Sequence, residues 1–546
     1  MRLLLPLLAL TAALPTHGTG RPEPVQVGVA SALEKLRPGD PIPAAGAIAL
    51  GAARGECEAA QVAVRAARPI AALSAEARPL RGPAALEVTL YRVATLALAR
   101  GSGPDGLAGE WPDPLVPVRD PYFREARRAF PVAVGAGRLQ AIWVEICVPR
   151  DAPAGAYAGE VALRDGDRPV ARVPVRLRVW PFALPASNTF TAAFGLSTRL
   201  GTAALGVPAD REVARALAAA ALRHRVTPFV LSADPPEGRC TAARCDVDWR
   251  AIDAEVGPVL DGTLVPGVRG GFAEVRIPES TWRGPEEDLL ATLRAWKAHY
   301  ARRGWADRLW VYTLDEPGPP AWPELRRRAR LARQAGLRVF VTALPSPALD
   351  GTADAFAPNL TLLPDRGERP KGVSFSYASC LSHGCGEMPD AGPLRAEFQK
   401  AFGGWPGYAV DRPGTAARAV PVLGWRRGLS GELYYDMLQA WRGDPWRDVR
   451  AFAGNGDGTL LYPGLPAKLG GEHPFPVESI RLKLVRDGLE DVELLRLASE
   501  SGLALLARRT AAALVPTGRG WERDPQRWLA ARRTLAEALA ARAAPR

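Results

Sequence analysis

The chain has 546 residues, 23% charged and 47% hydrophobic, a balance that excludes a disordered protein and, at this length, calls for two or three domains. Its net charge of +12 comes mostly from arginines spread along an Ala-, Gly- and Pro-rich chain. Counterion release on a polyanion needs clustered positive charge, so the composition argues against a nucleic-acid partner.

In chain order, "MRLLLPLLALTAALPTHGTG" places Arg2 before an apolar run from Leu3 to Leu14. This is the charged and apolar pattern of a secretory signal, too short for a membrane span. Residues 1–20 are therefore expected to be a signal peptide, and the protein secreted or periplasmic, without stable membrane insertion.

Residues 21–185 read as an antiparallel β-sandwich. In "VARVPVRLRV" (170–179), Ala171, Val173, Val175, Leu177 and Val179 share one face, and Arg172, Pro174, Arg176 and Arg178 the other. The preceding "RDGDRP" supplies an Asp-Gly turn, so 159–179 is expected to form a hairpin. Further strands are expected at 61–66, 87–96 and 140–149, and a linker at 180–190.

Residues 186–502 alternate short apolar strands with amphipathic helices. Strands are expected at 189–195, 226–232, 272–278, 308–315, 337–344, 359–364, 372–379 and 431–437, with helices such as 286–304 and 321–336 between them. Eight such units predict a (β/α)8 TIM barrel. An open doubly wound sheet is the alternative, but no Gly-rich phosphate turn follows the first strand, and no cofactor is expected. Residues 503–546 read as a helical extension, with Asp524 as N-cap, Pro525 in the first turn and a stripe of Trp528, Leu535 and Leu539.

The six cysteines include two C-x4-C pairs, Cys240–Cys245 and Cys380–Cys385. In an oxidising compartment local disulfides are the better reading of such pairs than a zinc site, and no metal site is expected. Cys57 and Cys147, in strand-like contexts, are either bridged or simply buried.

A barrel carries its chemistry at the C-terminal ends of its strands. "RLWVYTLDEPG" ends the fourth strand on Asp315 and Glu316, an adjacent acid pair that can face the mouth together only if the chain turns there. Tyr377 ends the seventh strand, Tyr435 the eighth, and "GNGDGTLLYPG" presents Asp457 and Tyr462 in a Gly-rich loop. Rings beside carboxylates suit sugars, whose apolar faces stack while their hydroxyls bond to acids. No H-E-x-x-H or G-x-S-x-G pattern points to a zinc protease or a serine hydrolase. His224 reads as structural, whereas His383 and His473 sit in loops.

"ARGECEAAQVAVRA", "WPDPLVP" and "IWVEICVPRDAPAGAYAGEV", followed by "YTLDEPG", "GELYYDM", "NGDGTLLYPG" and "ESIRLKLVRDGLEDVELL", resemble the domain of unknown function 4091 group, which overlaps glycoside hydrolase family 123. The resemblance covers residues 25–500 in order. It implies a sandwich followed by a (β/α)8 barrel, and retaining hydrolysis of a β-linked N-acetylgalactosamine. It further implies that Asp315 orients the substrate's 2-acetamido group while Glu316 acts as acid and base. Tyr377, Tyr435, Asp457 and Tyr462 are then candidate glycan-binding residues. One departure is Tyr435, where relatives often carry Trp. The alternative is a non-catalytic carbohydrate-binding or structural envelope protein on the same fold.

Overall fold

A computed structural model describes residues 25–543 apart from 209, 230–234, 367–368, 380–392, 394–395, 398–399, 401–402 and 452–453. The expected signal peptide, the Cys380–Cys385 pair and His383 lie outside the described residues.

The N-terminal region forms two facing sheets. The first orders Gln26–Ser31, Cys57–Arg65, Leu139–Cys147, Thr89–Leu98, Gly109–Pro117, Phe475–Ser479 and Leu461–Gly464; the second orders Ile48–Arg54, Arg168–Ala183, Gly155–Asp165, Ile70–Ala77 and Val132–Val134. The expected hairpin is present, with Val161 opposite Val173 and Tyr157 opposite Leu177. Its alternation holds because Val173, Val175, Leu177 and Val179 enter the core between the sheets, beside Val62, Val64, Ile142 and Val144. Cys57 and Cys147 are register partners on neighbouring strands and form a disulfide, as do Cys240 and Cys245.

Two expectations change here. The strand Arg168–Ala183 runs four residues into the expected linker, because it continues to pair with the parallel strand Ile48–Arg54 as far as Ala183. The segment after "NGDGT" returns to the first sheet, where Leu461–Gly464 and Phe475–Ser479 pair antiparallel and the latter joins Gly109–Pro117.

The middle of the chain holds two four-stranded sheets, their named strands parallel. One orders Thr227–Phe229, Thr191–Gly195, Gly431–Tyr434 and Phe375–Tyr377; the other orders Ala273–Glu274, Leu309–Tyr312, Arg338–Val341 and Ala355–Phe356. Parallel bridges Phe356–Val373 and Asn359–Tyr377 join them on one side. On the other, the Gly271 amide donates to Thr227 Oγ1 at 2.9 Å. One apolar cluster draws Ala193, Phe229, Phe272, Trp310, Phe340, Ala355, Phe375 and Leu433 from all eight strands or their first flanking residue. The alternate residues, such as Phe194, Val311 and Val341, pack outward against helices that include Arg211–Arg223, Arg250–Leu260, Glu286–Arg302 and Trp322–Gln334.

The sixth strand is Ala355–Phe356, not 359–364. Asn359 accepts the Thr361 amide at 2.9 Å and turns "NLTL" into a 3-10 turn over Leu360–Leu362, a local side-chain bond that competes with strand pairing.

The helix Ile480–Ala498 fastens the two halves together and is buried along most of its length, charged residues included. Arg481 pairs with Asp113 at 2.8 Å and also donates to the carbonyls of Tyr408, Gly456 and Thr459. Lys483 sits between Glu145 and Glu478 at 2.8 and 2.6 Å, and Arg486 reaches Glu145 at 2.7 Å. Asp491 binds Arg418 at 2.6 Å and Arg532 of the last helix, Pro525–Ala543, at 3.0 Å. Each buried charge has counter-charges and hydrogen bonds, the condition under which a buried ion is tolerable. The last helix starts as expected, with Asp524 accepting the Gln526 amide at 2.8 Å and Trp528, Leu535 and Leu539 buried. Among the described residues, no helix is long and apolar enough to cross a membrane.

Candidate active site

The fourth parallel strand ends at Tyr312, and the chain bends through Asp315 and Glu316 before the helix Trp322–Gln334. Glu316 has φ +41°, in the left-handed region rarely taken by a residue with a Cβ. That backbone turn replaces the alternation of a strand, and both carboxylates are exposed on the same bend. Such a conformation is costly and is held by surrounding bonds.

Those bonds come from neighbouring strand ends. Tyr312 Oη donates to Asp315 Oδ1 at 2.6 Å, and Thr342 Oγ1, just past the fifth strand, donates to the same oxygen at 2.9 Å. The Glu316 amide donates back to Thr342 Oγ1 at 2.8 Å. A single threonine hydroxyl therefore ties both acids to one point. From the seventh strand, the Tyr377 hydroxyl donates to Glu316 Oε1. Burial, with the Asp315 charge added, pushes the Tyr312 phenol well above its ordinary value, so it stays a hydrogen donor to the carboxylate. Asp315 Oδ2 and Glu316 Oε2 have no hydrogen-bond partner among the described residues.

A second carboxylate centre lies beside the eighth strand. Asp457 accepts from Tyr434 Oη on Oδ1 and from Tyr435 Oη on Oδ2, both at 3.3 Å, while Ser379 Oγ lies 3.5 Å from Oδ2. Ser379 follows Tyr377 by two residues, so the end of the seventh strand touches both carboxylate centres. Gly458 makes the approach possible: its φ is +69°, and a Cβ there would fall 2.3 Å from Tyr435 Oη. Tyr435 is half-buried and burial raises its phenol, while Asp457 is only 3% exposed. Asp436 is used internally, accepting Ser197 Oγ at 2.7 Å and the amides of Met437 and Leu438.

Asp315, Glu316 and Tyr377 are thus brought into direct contact or onto one bend, and Tyr435 and Asp457 into contact with each other. Tyr462 is not among them. It is fully buried in the returning strand Leu461–Gly464 and donates to Asp113 Oδ2 at 2.6 Å, inside the Arg481 network. His224 is buried, bonded to the Ala220 carbonyl, and desolvation lowers it to about 4. His473 stacks on Phe123 and bonds Glu125. Tyr312 and Thr342 were not singled out from sequence; the available signal was position, a hydroxyl at or just past each of two adjacent strand ends. Among the described residues, no group of three or more His, Cys, Asp or Glu is arranged to hold a metal ion.

No protein-family model and no curated protein matches the chain. Among solved structures, a family 123 glycoside hydrolase from Clostridium perfringens, described for glycolipid glycan hydrolysis, superposes with a TM-score of 0.68 at 10% identity, covering 95% of this chain and 98% of that one. A family 39 glycoside hydrolase from Bacteroides cellulosilyticus gives 0.33 at 10% identity over 81% of each chain. A Bacteroides ovatus family 5 xyloglucanase gives 0.29 at 9% identity, over 85% of this chain and all of that one. At such identities the first likeness establishes shared architecture: the chain has the fold of a family 123 glycoside hydrolase.

Proposed function

We propose that the protein is an exported glycoside hydrolase, a retaining β-N-acetylhexosaminidase acting on N-acetylgalactosaminides, and that its eight parallel strands form a (β/α)8 barrel of the kind found in the domain of unknown function 4091 group. The observation that carries the reading is the bend at Asp315 and Glu316. Each acid has one oxygen tethered by hydroxyl donors and the other without a partner among the described residues.

That division matches substrate assistance. Asp315 Oδ2 accepts the acetamido N–H, turning the acetamido oxygen toward the anomeric carbon. As that oxygen bonds to C1, the bond to the leaving oxygen breaks, and Glu316 gives its proton to the leaving group. The cyclic oxazolinium carries the positive charge, which the Asp315 carboxylate stabilises. Water then attacks C1, Glu316 takes its proton, and the acetamido group is released with the original anomeric configuration. The substrate supplies the nucleophile, so two carboxylates facing each other about 5 Å apart are not required. Tyr377, Tyr435 and Asp457 are assigned to glycan contacts around this centre.

The test is hydrolysis of aryl 2-acetamido-2-deoxy-β-D-galactopyranoside and its gluco epimer, with NMR identification of the first anomer released. Turnover with retention, abolished in Glu316→Gln and Asp315→Asn, is expected. Wild-type turnover that survives both substitutions refutes the assignment of the pair; glycan binding without turnover refutes the enzyme.

A further inference from the structure

The third parallel strand carries a carboxylate that the sequence reading did not pick out. Ala273 and Glu274 pair in parallel register with Leu309 and Trp310. Laterally paired residues in a parallel sheet project to the same face. Trp310 belongs to the central ring cluster, as does Phe272 two residues before Glu274, whereas Ala273 and Leu309 pack outward against the helices. Glu274 therefore projects inward, one step along its strand beyond the Phe272 ring. Its charge acts on the Tyr312 phenol, the group that holds Asp315.

Partners are what set this residue apart. Glu432, an acid on the eighth strand, is buried on the outward side and takes a hydrogen bond from Tyr408 at 2.7 Å. Among the described residues, the Glu274 carboxylate receives no hydrogen bond and forms no ion pair; Arg276, the nearest cation felt by it, is instead engaged by Glu255 at 3.3 Å. Half-buried, in register with Trp310 and lining a small cavity with Phe229, Phe272, Arg276 and Tyr300, Glu274 is desolvated enough to be raised to about 7. A partly desolvated carboxylate without donors lowers its energy by meeting a ligand that brings them.

We propose that Glu274 is a substrate-binding residue, accepting hydrogen bonds from the hydroxyls along the C3–C4 edge of the sugar whose 2-acetamido group Asp315 holds. The inference rests on the hexosaminidase reading. It follows from adjacency: Glu274 lies on the strand next to the one that leads into the acid pair, level with Trp310 two residues before Tyr312, and C3 is the ring carbon next to the acetamido-bearing C2. Two acceptor oxygens there meet two neighbouring hydroxyls, and the orientation of the one on C4 distinguishes galacto from gluco sugars. Glu274 is thereby the residue that sets this preference.

The experiment measures binding of 2-acetamido-2-deoxygalactose, its 3-deoxy analogue and 2-acetamido-2-deoxyglucose by ligand-observed NMR, beside turnover of the aryl galactosaminide. Glu274→Ala and the isosteric Glu274→Gln are used, with melting temperatures recorded for both. Expected is a tenfold or greater loss of 2-acetamido-2-deoxygalactose binding in Glu274→Ala, a smaller loss in Glu274→Gln, and a galacto-to-gluco ratio that collapses toward one. The 3-deoxy sugar, which keeps only the C4 hydroxyl on that edge, should lose less than the parent sugar does between wild type and Glu274→Ala. Unchanged sugar affinity and epimer ratio in a folded Glu274→Gln and Glu274→Ala overturn this inference while leaving the hydrolase reading intact. Absence of wild-type binding and turnover on both sugars overturns both.

Discussion

Two groups of carboxylates, one at the Asp315–Glu316 bend and one along the helix Ile480–Ala498, share a dense charge pattern in sequence and differ in everything else. The first pair is exposed, each acid bonded through one oxygen by neutral hydroxyls. In the second, Asp113, Glu145, Glu478 and Asp491 are nearly inaccessible and held by Arg481, Lys483, Arg486, Arg418 and Arg532. An acid saturated by cations has no acceptor left for a substrate, and its work is to join two regions. An acid left half-satisfied at a strained bend is available for chemistry.

The sharpest way to break this contrast is to neutralise each kind. Glu316→Gln should lower kcat on an aryl galactosaminide by ~10²–10⁴-fold, the usual contribution of general acid–base catalysis, with the melting temperature nearly unchanged. Arg481→Met should do the opposite. It leaves Asp113 buried with its principal cation gone, and the expected loss is about 3–5 kcal/mol of stability in urea denaturation. Activity per folded molecule should stay within a small factor of wild type. If Arg481→Met instead reduced kcat at full stability, the division between joining and catalytic charges would be wrong.

A smaller effect comes from Glu432, buried beside the eighth strand with Oε1 unpartnered and raised by burial to about 8. Its folded value lies above the unfolded one, so its contribution is fully present below about 4.5 and is lost as pH rises toward 8. His224 has the opposite sign: lowered to about 4, it removes stability only as pH falls below 6.5. Above pH 6.5 His224 no longer contributes, and the difference between wild type and variant cancels other raised acids such as Glu274. Glu432→Gln should gain on wild type by ~2 kcal/mol between pH 6.5 and 8, read as a difference in denaturation midpoints at each pH. A constant difference across that window would show that Glu432 is ionised in the folded protein.

Much of this was legible in the chain, and the failures have causes. Period-two alternation marked 170–179 because one face enters the sandwich core and the other meets water. The acid pair was visible because a buried apolar run, Leu309 to Val311, stops just before it. Position 359–364 misled because its apolar content suits a strand, while the outcome was set by one Asn side chain capping a turn. The tether at Thr342 and the pairing of Arg481 with Asp113 across 368 residues depend on which elements become neighbours, and local pattern does not encode that. The same limit applies to "TLLYPG", where a run beside a Gly-rich loop crosses back to the first sheet.

Tyr462 and Tyr435 sharpen the comparison at its finest scale, since both are tyrosines bonded to an aspartate and both were read as glycan contacts. Tyr462 Oη serves Asp113, which already has Arg481 on both oxygens and Lys35 at 3.5 Å. Removing that hydroxyl leaves a charge still paired, so Tyr462→Phe should cost about 1 kcal/mol of stability and leave KM unchanged. Tyr435 is half-exposed and meets Asp457, which accepts from the hydroxyls of Tyr434 and Tyr435. Tyr435→Phe should therefore raise KM about three- to tenfold with little change in melting temperature. Paired kinetic and denaturation measurements on the two variants give a crossed result if the reading is right: stability moves for one ring and affinity for the other. A KM shift in Tyr462→Phe would return that residue to the substrate side and place the Asp113 network in the path of catalysis.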